Sequence, residues 1–177
     1  MIKFLMPLLL LSAFCFGQAE SKKINTGWKT VEDSNYSIQY PASWELNQNG
    51  QMGTSFILFA PLESTDDLFR ENVNLLIQDL TGYDLDLDKY TEITLDQIKM
   101  LITNSSLTES KRIQKGSEGF HYLIYKGDQG IFNLQFKQYF WVNNNKAFVL
   151  TFTSEQNKFA TYEEVGKEIL DSFTFKK

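Results

Sequence analysis

Three aspartates alternate in the stretch GYDLDLDKYTE, residues 82–92, at positions 84, 86 and 88. Alternating carboxylates open the twelve-residue calcium loop, in which positions 1, 3 and 5 supply oxygen ligands. Counting from Asp84, that loop needs a glycine at position 6 and a bidentate glutamate at position 12, and Lys89 and Leu95 stand there instead. The same spacing suits a helix start. Asp86 or Asp88 can cap the following helix, and a carboxylate in a first turn complements the helix dipole. With Asp86 as the cap, Leu85 and Tyr90 hold the two positions of a hydrophobic staple. Asp84, Asp86 and Asp88 are therefore candidates for weak surface calcium binding only, and no dedicated metal or cofactor is expected.

The other chemistry-bearing residues are sparse. His121, in GFHYLIY, is the only histidine. A serine nucleophile would need it beside an activated hydroxyl and an orienting acid. The nearby GSEG at 116–119 is not the G-x-S-x-G nucleophile elbow. Zinc sites draw on several His or Cys ligands, and the only cysteine is Cys15. Two of the many acids could converge as a hydrolytic pair, but nothing in the sequence selects them. The glycines fall singly in turns, so no phosphate-cradling loop is present. The expectation is a non-enzyme.

Residues 1–17, MIKFLMPLLLLSAFCFG, place one lysine before an apolar run that is too short to span a bilayer, which takes about 20 residues. That is the layout of a cleaved signal peptide. Small residues allow cleavage before Gln18 or before Glu20, and Phe14 ahead of Cys15 argues against lipidation. Secretion across the inner membrane to a periplasmic or extracellular location is expected, with no transmembrane segment after cleavage. Losing Lys3 takes the 17 basic residues to 16 against 22 acidic, a net −6. A pI near 4.9 without a basic run argues against a nucleic-acid groove. Cys15 leaves with the signal, so no disulfide is expected and stability must come from the core.

After a polar lead at 18–27, residues 28–177 read as one domain, expected to be monomeric. Strand patterns fall at 28–32, 36–40, 55–60 and 72–80, with a polar loop at 61–71. From Asp88 to Ile102 the period becomes helical, with Tyr90, Ile93, Ile98 and Leu101 on one side and Asn104, Ser105 and Ser106 closing the helix. Strands return at 107–114, 120–125, 131–142 and 147–153, the last three as a meander with turns at 127–130 and 143–146. Alternation in 131–142 implies one buried sheet face. A second helix carries Phe159, Tyr162, Val165, Ile169 and Phe173, and SFTF at 172–175 adds a short strand. The order predicts an α+β domain, an antiparallel sheet covered by helices.

NYSIQYPASWEL at 35–46, FILFAP at 56–61, ENVNLLIQDL at 71–80, the helix holding KYTEITLDQI and the closing EEVGKEILDSF resemble, in that order, the PsbP-like domain family. The resemblance implies an α/β/α sandwich around a central antiparallel sheet. Its best-known member is the photosystem II extrinsic subunit PsbP, which helps retain calcium and chloride, and the family has secreted bacterial relatives. None of these is catalytic.

Aromatic residues make up 15% of the chain, and most of these rings are expected in the core; any that project from the polar face of a strand could form a recognition patch. Tyr139 and Trp141, beside Gln135 and Lys137, are the candidates for a recognition patch, but packing beneath a covering helix is the preferred reading, because helices on both sheet faces would bury them. The expected function is a secreted accessory module that binds a protein partner at the cell envelope. The alternative is a periplasmic carrier of a small apolar or amphipathic ligand, with an unassigned hydrolase behind both.

Overall fold

The computed structural model of the chain describes residues 27–115 and 118–176. The expected signal peptide at 1–17 with Cys15, most of the polar lead, Gly116, Ser117 and Lys177 lie outside them. Ten strands and two helices follow in the order β1 (Trp28–Glu32), β2 (Tyr36–Pro41), β3 (Glu45–Asn47), β4 (Thr54–Phe59), β5 (Asn72–Asp79), α1 (Leu87–Leu101), β6 (Thr103–Lys115), β7 (Glu118–Gln129), β8 (Phe132–Asn143), β9 (Lys146–Glu155), α2 (Phe159–Asp171) and β10 (Thr174–Phe175). Seven of the strands form one sheet in the order β3-β4-β5-β9-β8-β7-β6, and β1, β2 and β10 form a second. Every pairing is antiparallel. This is the α+β architecture that the element order predicts.

Each face of the large sheet has its own core. Leu123, Tyr125, Leu134, Phe136 and Phe140 pack with Leu87, Tyr90 and Ile98 of α1. On the opposite face Tyr139, Trp141, Leu150 and Phe152 pack with Phe159, Ile169 and Leu170 of α2 and with Tyr36 and Ile38 of β2. The alternation in β8 therefore misled on one point, because both of its faces are buried. Lys137 shows why: its ammonium lies 6.0 Å from the centre of the Phe159 ring and 2.6 Å from Glu163, and the residue is 3% exposed.

Local chemistry sets the connections. Asn144 and Asn145, both at positive φ (51° and 56°), make the two-residue turn between β8 and β9. The preceding turn falls later than the sequence implied, at Gly130 and Ile131, because β7 runs through Gly127 to Gln129. A Cβ on Gly127 would lie 2.1 Å from the Ile102 side chain, so glycine lets the end of α1 cross the strand. The polar run 104–106, expected to close α1, already belongs to β6. Asn104 at φ 52° and a bulge between Thr103 and Ser106 let it pair with the far end of β7.

The end of α2 is tied to β2. Ser172 caps the helix by donating its N–H to Glu168 O at 3.1 Å, and its hydroxyl accepts the Gln39 N–H at 2.9 Å. That tie delivers Phe173 and β10 onto the large sheet. Closer to the centre of α2, a Cβ on Gly166 would meet the Phe152 ring at 2.7–2.8 Å, and Phe152 is fully buried. Glycine to alanine inside a helix ordinarily stabilises by about 1 kcal/mol. Here Gly166→Ala is expected to lower unfolding stability by about 1–3 kcal/mol through overpacking, read as a lower denaturation midpoint. A raised midpoint would refute the close approach.

Candidate functional site

The three alternating aspartates have separate partners. Asp86 is the N-cap of α1 and accepts the Lys89 N–H at 2.8 Å, with Tyr90 in the core beneath that helix and Leu85, half-buried, packed against it. Asp88, in the first turn, pairs with Arg112 of β6 at 2.9 Å. Asp84 occupies a positive-φ turn position, φ 47°. Among the described residues no group of three or more His, Cys, Asp or Glu side chains forms a metal cage.

His121 has a serine partner that sequence spacing hid. Ser110 Oγ and His121 Nε2 are 2.8 Å apart across the β6–β7 hairpin, and the imidazole stacks on Phe140 at 5.4 Å. Burial, and then the Arg112 guanidinium, hold the imidazole below its ordinary pKa, while Asp88 opposes them. Asp88 Oδ1, however, accepts from Arg112 and so does not orient the ring as a triad acid would. The register of β6 on β7, which pairs Arg112 with His121 and Ser110 with Leu123, was the signal needed.

Acids do converge at the β9–α2 junction. Lys158 Nζ lies 3.1 Å from Asp67, 3.3 Å from Glu63 and 3.3 Å from Glu155. These carboxylates are no farther apart than a hydrolytic pair, whose separation is roughly 5 to 9.5 Å. They meet around an ammonium, however, where a glycosidic oxygen would have to sit. A general acid needs a raised pKa, whereas the Glu63 N–H and the Lys158 ammonium hold Asp67 below its usual range. Glu71, behind them, is raised by burial, and it is fully enclosed.

The remaining site is a groove of about 580 Å³ at the α2 end of the large sheet. Its floor follows from strand register. Ile113 stands opposite Phe120 across β6 and β7, and Tyr139 and Trp141 follow from β8, with Trp141 backed by its register partner Phe148 of β9 and Tyr139 by Tyr122 of β7. Helix α2 ends at Asp171, before it reaches β6 and β7, and the chain returns as Phe173 and Phe175 over the indole. Trp141 stacks on Phe173 at 4.9 Å and meets Phe175 edge-on at 6.0 Å, while Phe120 lies 4.8 Å from Tyr139 and 5.3 Å from Trp141. At the rim, Tyr139 donates its hydroxyl to Asp171 at 3.1 Å, and Asp171 pairs with Lys167 at 2.5 Å. Burial, and then the Asp171 charge, raise the Tyr139 phenol far above its ordinary value, so it stays a donor.

Tyr139 and Trp141 are thus 6% and 8% exposed, set in the core and presenting only an edge to the groove. Sequence reasoning picked out these two and missed Ile113, Phe120, Phe173 and Phe175, which complete the walls. The aromatic SFTF ending and the β6–β7 hairpin were visible, but their meeting depends on where α2 stops.

No family model matches the chain, and no curated protein matches it in sequence. Its fold matches solved structures. The cyanobacterial PsbP, CyanoP, of Synechocystis sp. PCC 6803 is 14% identical with a TM-score of 0.60, over 91% of this chain and 99% of that one. LpqN of Mycobacterium tuberculosis, described as involved in cell envelope biogenesis, is 13% identical with a TM-score of 0.66, over 85% and 91%. A Pseudomonas aeruginosa protein of unknown function, PA94, is 14% identical with a TM-score of 0.57, over 81% and 93%. The chain has a PsbP-like fold.

Capping and calcium binding by Asp86 predict different outcomes. Asp86→Ala is expected to cost about 1 kcal/mol of stability, equally with calcium and with a chelator. A cost seen only with calcium would make Asp86 a ligand.

Proposed function

We propose that the protein is a secreted, non-catalytic accessory module of the cell envelope that holds an extended, apolar segment of a protein partner in the aromatic groove. The groove is the observation that carries this reading. Phe120, Tyr139, Trp141, Phe173 and Phe175 line it with Ile113 and Leu170, beside Asp171, Thr174 and Lys176, and an apolar surface with convergent polar groups is the usual form of a binding site. β10 is the outer strand of its sheet, and Thr174, Phe175 and Lys176 line the groove. An added strand beside β10 would set alternate side chains against Trp141 and Phe120. The charges of Asp171 and Lys176 flank it.

Several observations support the rest of the reading. The layout of residues 1–17 favours secretion, and LpqN, which shares the fold, is described as involved in cell envelope biogenesis. Among the described residues no helix is long and apolar enough to cross a membrane. The absence of catalysis is supported by the ammonium among the clustered acids and by the unoriented Ser110–His121 pair. The module as proposed uses no cofactor, and the weak calcium binding considered for Asp84, Asp86 and Asp88 plays no part in it. It acts as a monomer.

One observation favours the carrier as a second reading. A volume of about 580 Å³ falls within the roughly 300–1,000 Å³ range of small-ligand pockets.

Native mass spectrometry on the chain, mildly crosslinked and isolated from the envelope fraction, tests both. The expected result is a bound polypeptide that disappears with Phe120→Glu and survives Met52→Glu, a change at an exposed position remote in sequence from the groove. An adduct of a few hundred daltons with the same dependence would establish the carrier. A companion indifferent to Phe120→Glu, or a bare mass in every sample, would remove the groove as the binding site.

A further inference from the structure

The connection between β4 and β5, residues 60–71, is closed at its neck by backbone and guanidinium bonds. Ala60 N–H donates to Glu71 O at 2.8 Å, and Arg70 Nε–H donates to Ala60 O at 2.8 Å. Beyond the neck, apolar burial holds little. Leu62 and Leu68 face solvent, Leu68 at 76% exposure, and Phe69 alone meets a ring of the body, Phe132, at 5.2 Å. The tip is fastened by charge. Glu63 and Asp67 reach Lys158, and Glu63 also accepts the Tyr162 hydroxyl at 2.8 Å.

The balance of that clamp is uneven. From the segment come Glu63, Asp66, Asp67 and Glu71; from the end of β9 and α2 come Glu155, Lys158 and Tyr162. Burial alone would lower the Lys158 pKa, but the hydrogen bonds to Asp67, Glu155 and Glu63 raise it, so the ammonium persists. Glu71 lies behind the clamp, wholly buried. Its Oε1 receives long bonds from Ser154 Oγ at 3.3 Å and from the Glu155 N–H at 3.4 Å, and its Oε2 has no partner among the described residues. Burial dominates its titration and opposes its charge; the Lys158 ammonium and the Glu155 N–H favour the charge, Asp67 opposes it, and the net shift is upward.

We propose that residues 61–69 form a pH-gated strap, clamped by Lys158 and closed most tightly in mildly acidic solution, loosening toward both neutral and strongly acidic pH. Two carboxyls act with opposite sign. Asp67, held below 3.8 by the Glu63 N–H and Lys158, contributes stability that is present above that value and lost as pH falls through its lowered pKa. Glu71, raised above 4.5 by burial, costs stability while ionised, and the cost disappears as pH falls through its raised pKa. Closure is therefore tightest between the two. Opening uncovers Phe132 and the buried Glu71 while both sheets stay paired, because no sheet bond involves residues 61–69.

Hydrogen exchange by mass spectrometry on the full chain, from about pH 8 to about pH 3 and expressed as protection factors to remove the intrinsic pH dependence, tests the strap. Protection over 61–69 is expected to pass through a maximum in the mildly acidic range while β8 and β9 stay constant. Glu71→Gln should remove the loss on the neutral side and keep the acidic one. Lys158→Met should lower protection over 61–69 at neutral pH by roughly threefold or more. A flat wild-type profile, or a Glu71→Gln profile identical to the wild type, would overturn the proposal even if Lys158→Met failed to fold.

Discussion

The structure depends on one requirement: strands β8 and β9 carry large apolar residues on both faces, so the sheet they centre must be covered twice. A half-buried antiparallel sheet can leave one side to water. This one cannot, with Phe136, Phe140 and Val149 on one side and Tyr139, Trp141, Leu150 and Phe152 on the other. Helix α1 covers the first face across β6, β7 and β8. The second face is covered by a composite of α2, the small sheet of β1, β2 and β10, and the aromatic residues that follow the helix.

That composite cover is shorter than the sheet beneath it. Helix α2 fits because Gly166 lets it approach Phe152, and its end is anchored by Ser172 to β2. Past Asp171 no helix continues, so Ile113 and Phe120 are left at the edge of the cover and the groove results. Its existence is a consequence of a mismatch in length between helix and sheet. The nearby edge strand β6 is long, but its lysine and arginine side chains and its bulges discourage open pairing there. The smaller edge at β10 lies next to the aromatic groove and lacks those bulges.

Charged groups are used mainly to fasten polar segments where apolar burial is thin. Asp86 and Asp88 tie the start of α1, Lys137 is neutralised by Glu163, and Lys158 gathers acids from two elements. Asp88, Glu163 and the Lys158 cluster each meet a cation, whereas Asp86 meets a backbone N–H.

The sequence alone determined the kinds of element and their order, because hydrophobic period and turn chemistry are local properties. The 3.6-residue stripe of α2, the Asn-Asn turn and the cap at Asp86 all appear where neighbouring residues dictate them. The order of short motifs also pointed to the PsbP-like fold. What the tertiary structure decided were relations between distant residues. The second burial of β8 needed α2 to lie across it, and β3 arose only as a short partner for β4. Ser110 reached His121 through hairpin register, and Asp67 reached Lys158 across 91 positions of chain. The groove followed the same rule. Tyr139 and Trp141 were visible from alternation, but their neighbours Phe120 and Phe173 join them only after strand register and the end of α2 are set, and no local pattern encodes either.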